Sequence, residues 1–126
     1  MRLLLAEDNA LNRDMLARRL RRRGHTVLEA CDGAEAIALA RSTAPADAVL
    51  LDLDMPVVDG WGVLHALRAM GLTMPVFILS AHSLKDDRER AAALGVSGDL
   101  SKPLDFDVLL QRLAQACPDL DAPRTD

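Results

Sequence analysis

The feature that most constrains this chain is a rhythm. Short apolar runs alternate with longer segments of helical period. Strands are read at 3–6, 26–30, 48–51 and 75–79, with a weaker one at 99–101. Those at 3–6, 48–51 and 75–79 are apolar at successive positions, not at every second one, which fits strands buried on both faces. Between them, Leu11, Met15, Leu16 and Leu20 follow a helical period that Gly24 stops. Asp32 and Glu35 have capping-box spacing, and Ile37, Ala38 and Ala40 continue that helix. Asp59-Gly60 is a turn signal before a short helix at 61–70 with Leu64 and Leu67 inward. Residues 84–94 form an Ala-rich helical stretch closed by Gly95. Asp105 can cap a last helix carrying Val108, Leu109 and Leu113 on one face. Five strand–helix units thus fill residues 1–117, and 118–126 reads as a short polar tail. The alternation predicts an α/β fold: a doubly wound (βα)5 sandwich, its five-stranded parallel sheet covered by helices on both faces. Right-handed crossovers leave few topologies.

Composition narrows the functions open to such a fold. With 126 residues, 50% apolar, one domain can bury a core without disulfide or metal staples. Cys31 and Cys117 match neither a disulfide framework nor a zinc motif, which suits a reducing cytosol. The opening Met-Arg-Leu-Leu-Leu-Ala superficially resembles a signal peptide. Glu7 and Asp8 end the apolar run too soon for one, and nothing approaches the roughly 20 apolar residues of a membrane span. The expectation is a cytoplasmic protein without membrane contact. A net charge of −4 and three aromatics, Trp61, Phe77 and Phe106, argue against direct nucleic-acid binding. Six arginines between positions 13 and 23 form either a local basic patch or a solvated helix face.

In an open parallel sheet, ligands bind beyond the carboxyl ends of the strands. Strand one ends in Glu7-Asp8, strand three in Asp52, strand four in Ser80-Ala81, and strand five in Ser101-Lys102. Three carboxylates in one pocket repel each other and raise their pKa values unless a cation is present. A hard cation such as Mg²⁺ (or Mn²⁺) takes oxygen ligands from one or two carboxylates plus substrate phosphate. Lys102 and Ser80 remain to hold phosphate oxygens. A Lys–phosphate attraction is worth about 4 kcal/mol at about 4 Å and an effective dielectric of about 20. The set reads as metal-assisted phosphoryl transfer with a carboxylate nucleophile. Taken singly, each residue has an ordinary explanation: Asp8 as cap of the first helix, Lys102 as a surface lysine. Their joint placement at the strand ends favours chemistry.

Leu3-Leu4-Leu5-Ala6-Glu7-Asp8-Asn9, Asp52-Leu53-Asp54-Met55-Pro56 with Asp59-Gly60, Ser80-Ala81, and Lys102-Pro103-Leu104 together resemble one family. It is the receiver (phosphoacceptor) domains of two-component response regulators, matched over residues 1 to about 116. Asn9, Asn12-Arg13 and Gly24-His25 look most like receivers linked to hybrid histidine kinases. The resemblance implies the chemotaxis-regulator-like sheet order 2-1-3-4-5. It implies that Asp52 accepts a phosphoryl group from the phosphohistidine of a histidine kinase or phosphotransfer protein. Asp8, Asp52 and the backbone carbonyl of Asp54 would ligate Mg²⁺, with Glu7 acting through water. Lys102 would bind one phosphoryl oxygen; the Ser80 hydroxyl and the Ala81 N–H would bind another. Lys102-Pro103 is expected to be cis. The domain would catalyse only its own phosphorylation and slow autodephosphorylation, and would switch contacts with a downstream protein. Helix one docks kinase helices in this family, which would give Arg18, Arg19 and Arg22 an acidic partner surface.

Some positions depart from the family pattern. The switch aromatic, three residues before the site lysine, is replaced by Asp99. This implies signalling without an aromatic rotamer, or through another face. Asp54 and His82 stand where they could tune phosphoryl lifetime or merely face solvent. Trp61 with Val57 and Val58 could form an apolar surface spot or pack half-buried. Two rival readings remain. Asp52-Leu53-Asp54 mimics Asp-nucleophile phosphatases of the haloacid-dehalogenase type, although Pro56 breaks that motif and there is no room for a cap domain. An unphosphorylated pseudo-receiver would be a pure interaction module. No effector domain fits after residue 117, so output is expected through protein contacts or from a longer parent chain.

Overall fold

The structure, a computed structural model, describes residues 1–42, 46–53, 55–80 and 88–117. The elements are β1 (Arg2–Ala6), α1 (Ala10–Arg22), β2 (Thr26–Ala30), α2 (Gly33–Ser42) and β3 (Ala48–Asp52). They continue as α3 (Gly60–Ala69), β4 (Val76–Ser80), α4 (Arg88–Ala93), β5 (Gly98–Ser101) and α5 (Phe106–Ala116). All strands pair in parallel in the order β2-β1-β3-β4-β5, as expected for the doubly wound fold. No helix of the described residues is long and apolar enough to cross a membrane.

Strand pleating sorts the core into two layers, because successive side chains point to opposite faces. Leu3, Leu5, Ala48, Leu50, Phe77, Leu79 and Leu100 face α1 and α5, packing on Ala17, Leu20, Leu109 and Leu113. Leu4, Ala6, Val49, Leu51, Val76 and Ile78 face α2, α3 and α4, packing on Ala36, Val63, Leu64 and Leu67. β1, β3 and β4 are buried on both faces, which is why their sequences carry no polar alternation.

Helix starts follow side-chain chemistry. The carboxylate of Asp59 accepts from the N–H of Gly62 at 2.9 Å. That of Asp105 accepts from the N–H groups of Asp107 and Val108 at 3.0 and 3.2 Å. Asp32 accepts from the N–H of Glu35 at 2.8 Å. Glu35, however, reaches back to the N–H of Cys31 at 3.2 Å, one residue earlier than a capping box requires. α1 departs further from its sequence reading. Ala17 and Leu20 are buried, but Leu11 is 68% and Met15 51% exposed. At about 100° per residue both lie roughly opposite Leu20, on the face of α1 turned away from the sheet. Of the Ala-rich stretch at 84–94, the described part is helical from Arg88 to Ala93. The expected polar tail, 118–126, lies outside the described residues.

Candidate phosphoacceptor site

Period-two geometry explains why three distant residues meet. Glu7 continues the parity of Leu3 and Leu5, Asp52 that of Ala48 and Leu50, and Lys102 that of Leu100. All three therefore emerge at the carboxyl edge on the α1/α5 side of the sheet. Backbone bonds carry the ladder past the strands: Glu7 N–H to Ala30 O at 3.1 Å, Leu53 N–H to Leu79 O at 3.1 Å, and Lys102 N–H to Ser80 O at 2.8 Å. The end residues are thus held as firmly as the strands.

The Lys102 Nζ lies between two carboxylates, 3.2 Å from Asp52 Oδ2 and 3.3 Å from Glu7 Oε2. Glu7, Asp52 and Ser80 are buried, at 4%, 2% and 3% exposure. Burial disfavours charge on Lys102, but Asp52 and Glu7 outweigh it and raise its pKa. Burial is also the largest influence on Glu7. Hydrogen bonding to Asp52 and the charge of Asp52 add to it, and Lys102 opposes them. The Glu7 pKa is pushed from 4.5 to about 7. One lysine is too little positive charge for this pocket.

Glu7, Asp8 and Asp52 each offer a carboxylate oxygen within 4.8 Å of the others. Hard oxygen donors carrying excess negative charge suit a small divalent cation. Asp8 is exposed and free to serve there, because the α1 cap is Asn9, whose side chain accepts from Asn12 N–H at 2.9 Å. Asp54, Ala81 and His82 lie outside the described residues. Lys102-Pro103 is cis, as expected.

A raised Glu7 pKa has a defined consequence for stability. The group binds its proton more tightly when folded, so the stability it contributes is complete below pH 4.5 and is lost as pH rises through about 7. Without metal, the wild type should lose stability relative to Glu7→Gln across that window. Denaturant midpoints of both proteins from pH 4.5 to 8 check this; a constant difference would contradict it.

Asn12 and Arg13 carry part of the family resemblance in the sequence, but their contacts with Glu7 are seen only in the structure. Arg13 donates to the Glu7 carbonyl at 2.9 Å, and Asn12 reaches the Glu7 carboxylate at 3.5 Å. Both stand one turn after the acidic pair. The arginines do not act as one patch. Arg13 and Arg21 bind Glu29, Arg18 pairs with Asp14, and Arg19 lies over the Phe106 ring at 4.5 Å. Arg18, Arg19 and Arg22 are all exposed on α1. Beside the site, a groove of about 290 Å³ is lined by Met15, Leu16, Arg19, Lys102, Pro103 and Leu104, among others. Asp99 is exposed on β5.

The loop after β3 holds a strained turn. Val57 has φ 70°, and the Val58 N–H donates to the Pro56 carbonyl at 2.9 Å across it. This is a γ-turn of the strained, positive-φ kind. A β-branched residue is poorly suited to that backbone, and Val57, 79% exposed, gains no burial there. Trp61, by contrast, is only 8% exposed, so the three residues form no common surface spot. Val57→Gly should raise stability by about 1 kcal/mol, since glycine has no Cβ to strain a positive-φ turn. Urea denaturation measures this, and a loss of stability would refute the strain.

Comparison with known proteins agrees with this geometry. Residues 3–114 match the family model described as the response regulator receiver domain. The chain is 43% identical over 112 residues to the transcriptional regulatory protein PrrA of Mycobacterium leprae, covering 89% of this chain and 48% of that protein. It is 37% identical over 114 residues to the sensor histidine kinase RcsC of Salmonella typhimurium, covering 90% of this chain and 12% of that protein. The chain thus spans about half or less of these curated relatives. Among solved structures, a Francisella response regulator receiver domain superposes with a TM-score of 0.86 at 27% identity, covering 94% of this chain and 98% of that one. The receiver domain of a Pseudomonas aeruginosa sensor histidine kinase, with a magnesium ion coordinated in its active-site cleft, gives 0.82 at 32% identity. It covers 93% of this chain and 97% of that one.

Proposed function

The chain belongs to the response regulator receiver domain family of two-component systems, and from that premise we propose that Asp52 is its phosphoryl acceptor. The observation that carries the reading is the buried Asp52 carboxylate, held beside Glu7 by a lysine at 3.2 Å. An Asp52 oxygen attacks the phosphorus of a phosphohistidine. The P–N bond breaks, its electron pair stays on the imidazole nitrogen, and an acyl phosphate forms. Lys102 would take one phosphoryl oxygen, and Ser80, with the Ala81 N–H, would take another. Glu7, Asp8 and Asp52, with the Asp54 carbonyl, would hold Mg²⁺ or Mn²⁺, Glu7 through water. Bound there, the ion neutralises charge on the phosphoryl oxygens. The product adds about one negative charge at the site and so biases neighbouring loops between two arrangements. Asp54 and His82 are candidates for setting how long it lasts.

The donor is a histidine kinase or histidine phosphotransfer protein, and the output is a contact with another protein in the cytoplasm. The outer face of α1 supports this donor. Leu11, Met15, Arg18 and Arg22 follow one another at helical spacing, apolar near the acceptor and basic beyond it. Such a stripe suits a partner helix with an apolar centre and an acidic end. Asp99 leaves the family's aromatic switch without its ring.

Acetyl phosphate with Mg²⁺ tests the acceptor reading directly. Intact-mass spectrometry should show one added phosphoryl group, and none when EDTA is present from the start. Multiple turnovers of a phosphate ester would support a phosphatase instead, and an unmodified protein would support a pseudo-receiver.

A further inference from the structure

With Asp99 at the aromatic switch position, the site needs another link to the helices. The chain has one tryptophan, and it stands where such a link would begin. Trp61 is in the first turn of α3, directly after Gly60. Gly60 is fastened to the acceptor strand: its N–H donates to Leu53 O at 3.0 Å. A Cβ at Gly60 would stand 2.7 Å from Asp52 O and 2.8 Å from Leu53 Cα. With no slack there, a shift of the backbone at 52–53 must displace the start of α3 and the ring it carries. On that ring, 4.5 Å from its centre, lies the guanidinium of Arg90 from α4.

The other end of α4 is anchored separately. Arg68, from the last turn of α3, donates to Leu94 O at 2.8 Å and Gly95 O at 3.1 Å. It also donates to Leu72 O and Met74 O at 2.9 and 3.0 Å. The anchor lies at the amino edge of the sheet, far from the acceptor. α4 is thus pinned at its C-terminal end through the Leu94 and Gly95 carbonyls, which Arg68 ties to those of Leu72 and Met74, and touched nearer the acceptor edge by the Arg90–Trp61 cation–π contact.

We propose that Arg90 is a positioning residue that couples α4 to the acceptor loop through Trp61, with Arg68 as the pivot. The inference rests on Asp52 being the acceptor.

The test uses beryllofluoride with Mg²⁺ as the probe. Its binding is followed by ¹⁹F NMR, Trp61 by intrinsic fluorescence, and α4 by hydrogen–deuterium exchange. In the wild type, binding should change Trp61 emission and α4 exchange together. Arg90→Met keeps the apolar stem and loses the charge. It should bind the probe normally but reduce the α4 exchange response at least threefold, and Arg90→Lys should restore most of it. A packing role alone would leave the probe-induced response intact in Arg90→Met, and that result overturns the proposal. So does probe binding to the wild type without a change in Trp61 or α4. Absence of a bound ¹⁹F signal in the wild type removes the acceptor reading itself, and this inference with it.

Discussion

Asp52→Asn is expected to abolish phosphoryl acceptance, leaving a single unmodified mass after acetyl phosphate and Mg²⁺. The amide matches the carboxylate in shape but offers no anionic oxygen to attack phosphorus. The fold should survive, because Lys102 keeps Glu7 as a partner at 3.3 Å. A second readout separates loss of chemistry from loss of structure. Asp52 contributes both a hydrogen bond and a like charge to the raised Glu7 pKa. In the variant that pKa should fall below about 7, measured by ¹³C NMR titration of the Glu7 carboxyl. Residual phosphorylation would mean that another carboxylate is the acceptor. An unchanged Glu7 pKa would mean that the two groups do not share a pocket.

Gly33→Ala should cost about 3 kcal/mol, at the upper end of what an overpacked core site costs. Gly33 opens α2, and a Cβ there would stand 1.9 Å from the Val58 carbonyl oxygen and 2.7 Å from its carbon. The obstacle is backbone of the loop between β3 and α3, so no rotamer change relieves it. Either α2 or the 56–60 turn must move. At this size the loss corresponds to a melting temperature lower by about 10 °C, readable by circular dichroism. The same substitution should weaken beryllofluoride binding, because the displaced turn is fastened to Leu53 through Gly60. A variant as stable as the wild type would show that the loop gives way freely.

Sequence reading failed where the outcome depended on helix rotation. At about 100° per residue, Leu11 and Met15 lie roughly opposite Leu20, so the buried face of α1 runs through Ala17 and Leu20 and leaves the other pair exposed. Apolar pairs at i,i+4 spacing, Leu11 with Met15 and Leu16 with Leu20, mark two faces of one helix, and periodicity does not choose the inner one. The same holds for Trp61: a place in the first turn of a helix allows burial or exposure, and the structure buries Trp61 while Val57, in the turn before α3, stays exposed.

Local pattern was enough for the fold class and for gathering the candidate site residues at one edge of the sheet. Apolar runs and turn residues act locally, and five strand–helix units in parallel put every strand end on one edge. That brought Glu7, Asp8, Asp52, Ser80 and Lys102 into one region before any distance was known. Only the tertiary structure decided which of them touch. Lys102 between Glu7 and Asp52, Arg13 on the Glu7 carbonyl, Val58 against Gly33 and Arg90 over Trp61 each join residues that no local pattern relates. Such contacts are set to within tenths of an ångström by how whole elements pack, and close packing allows one arrangement where the pattern allows many.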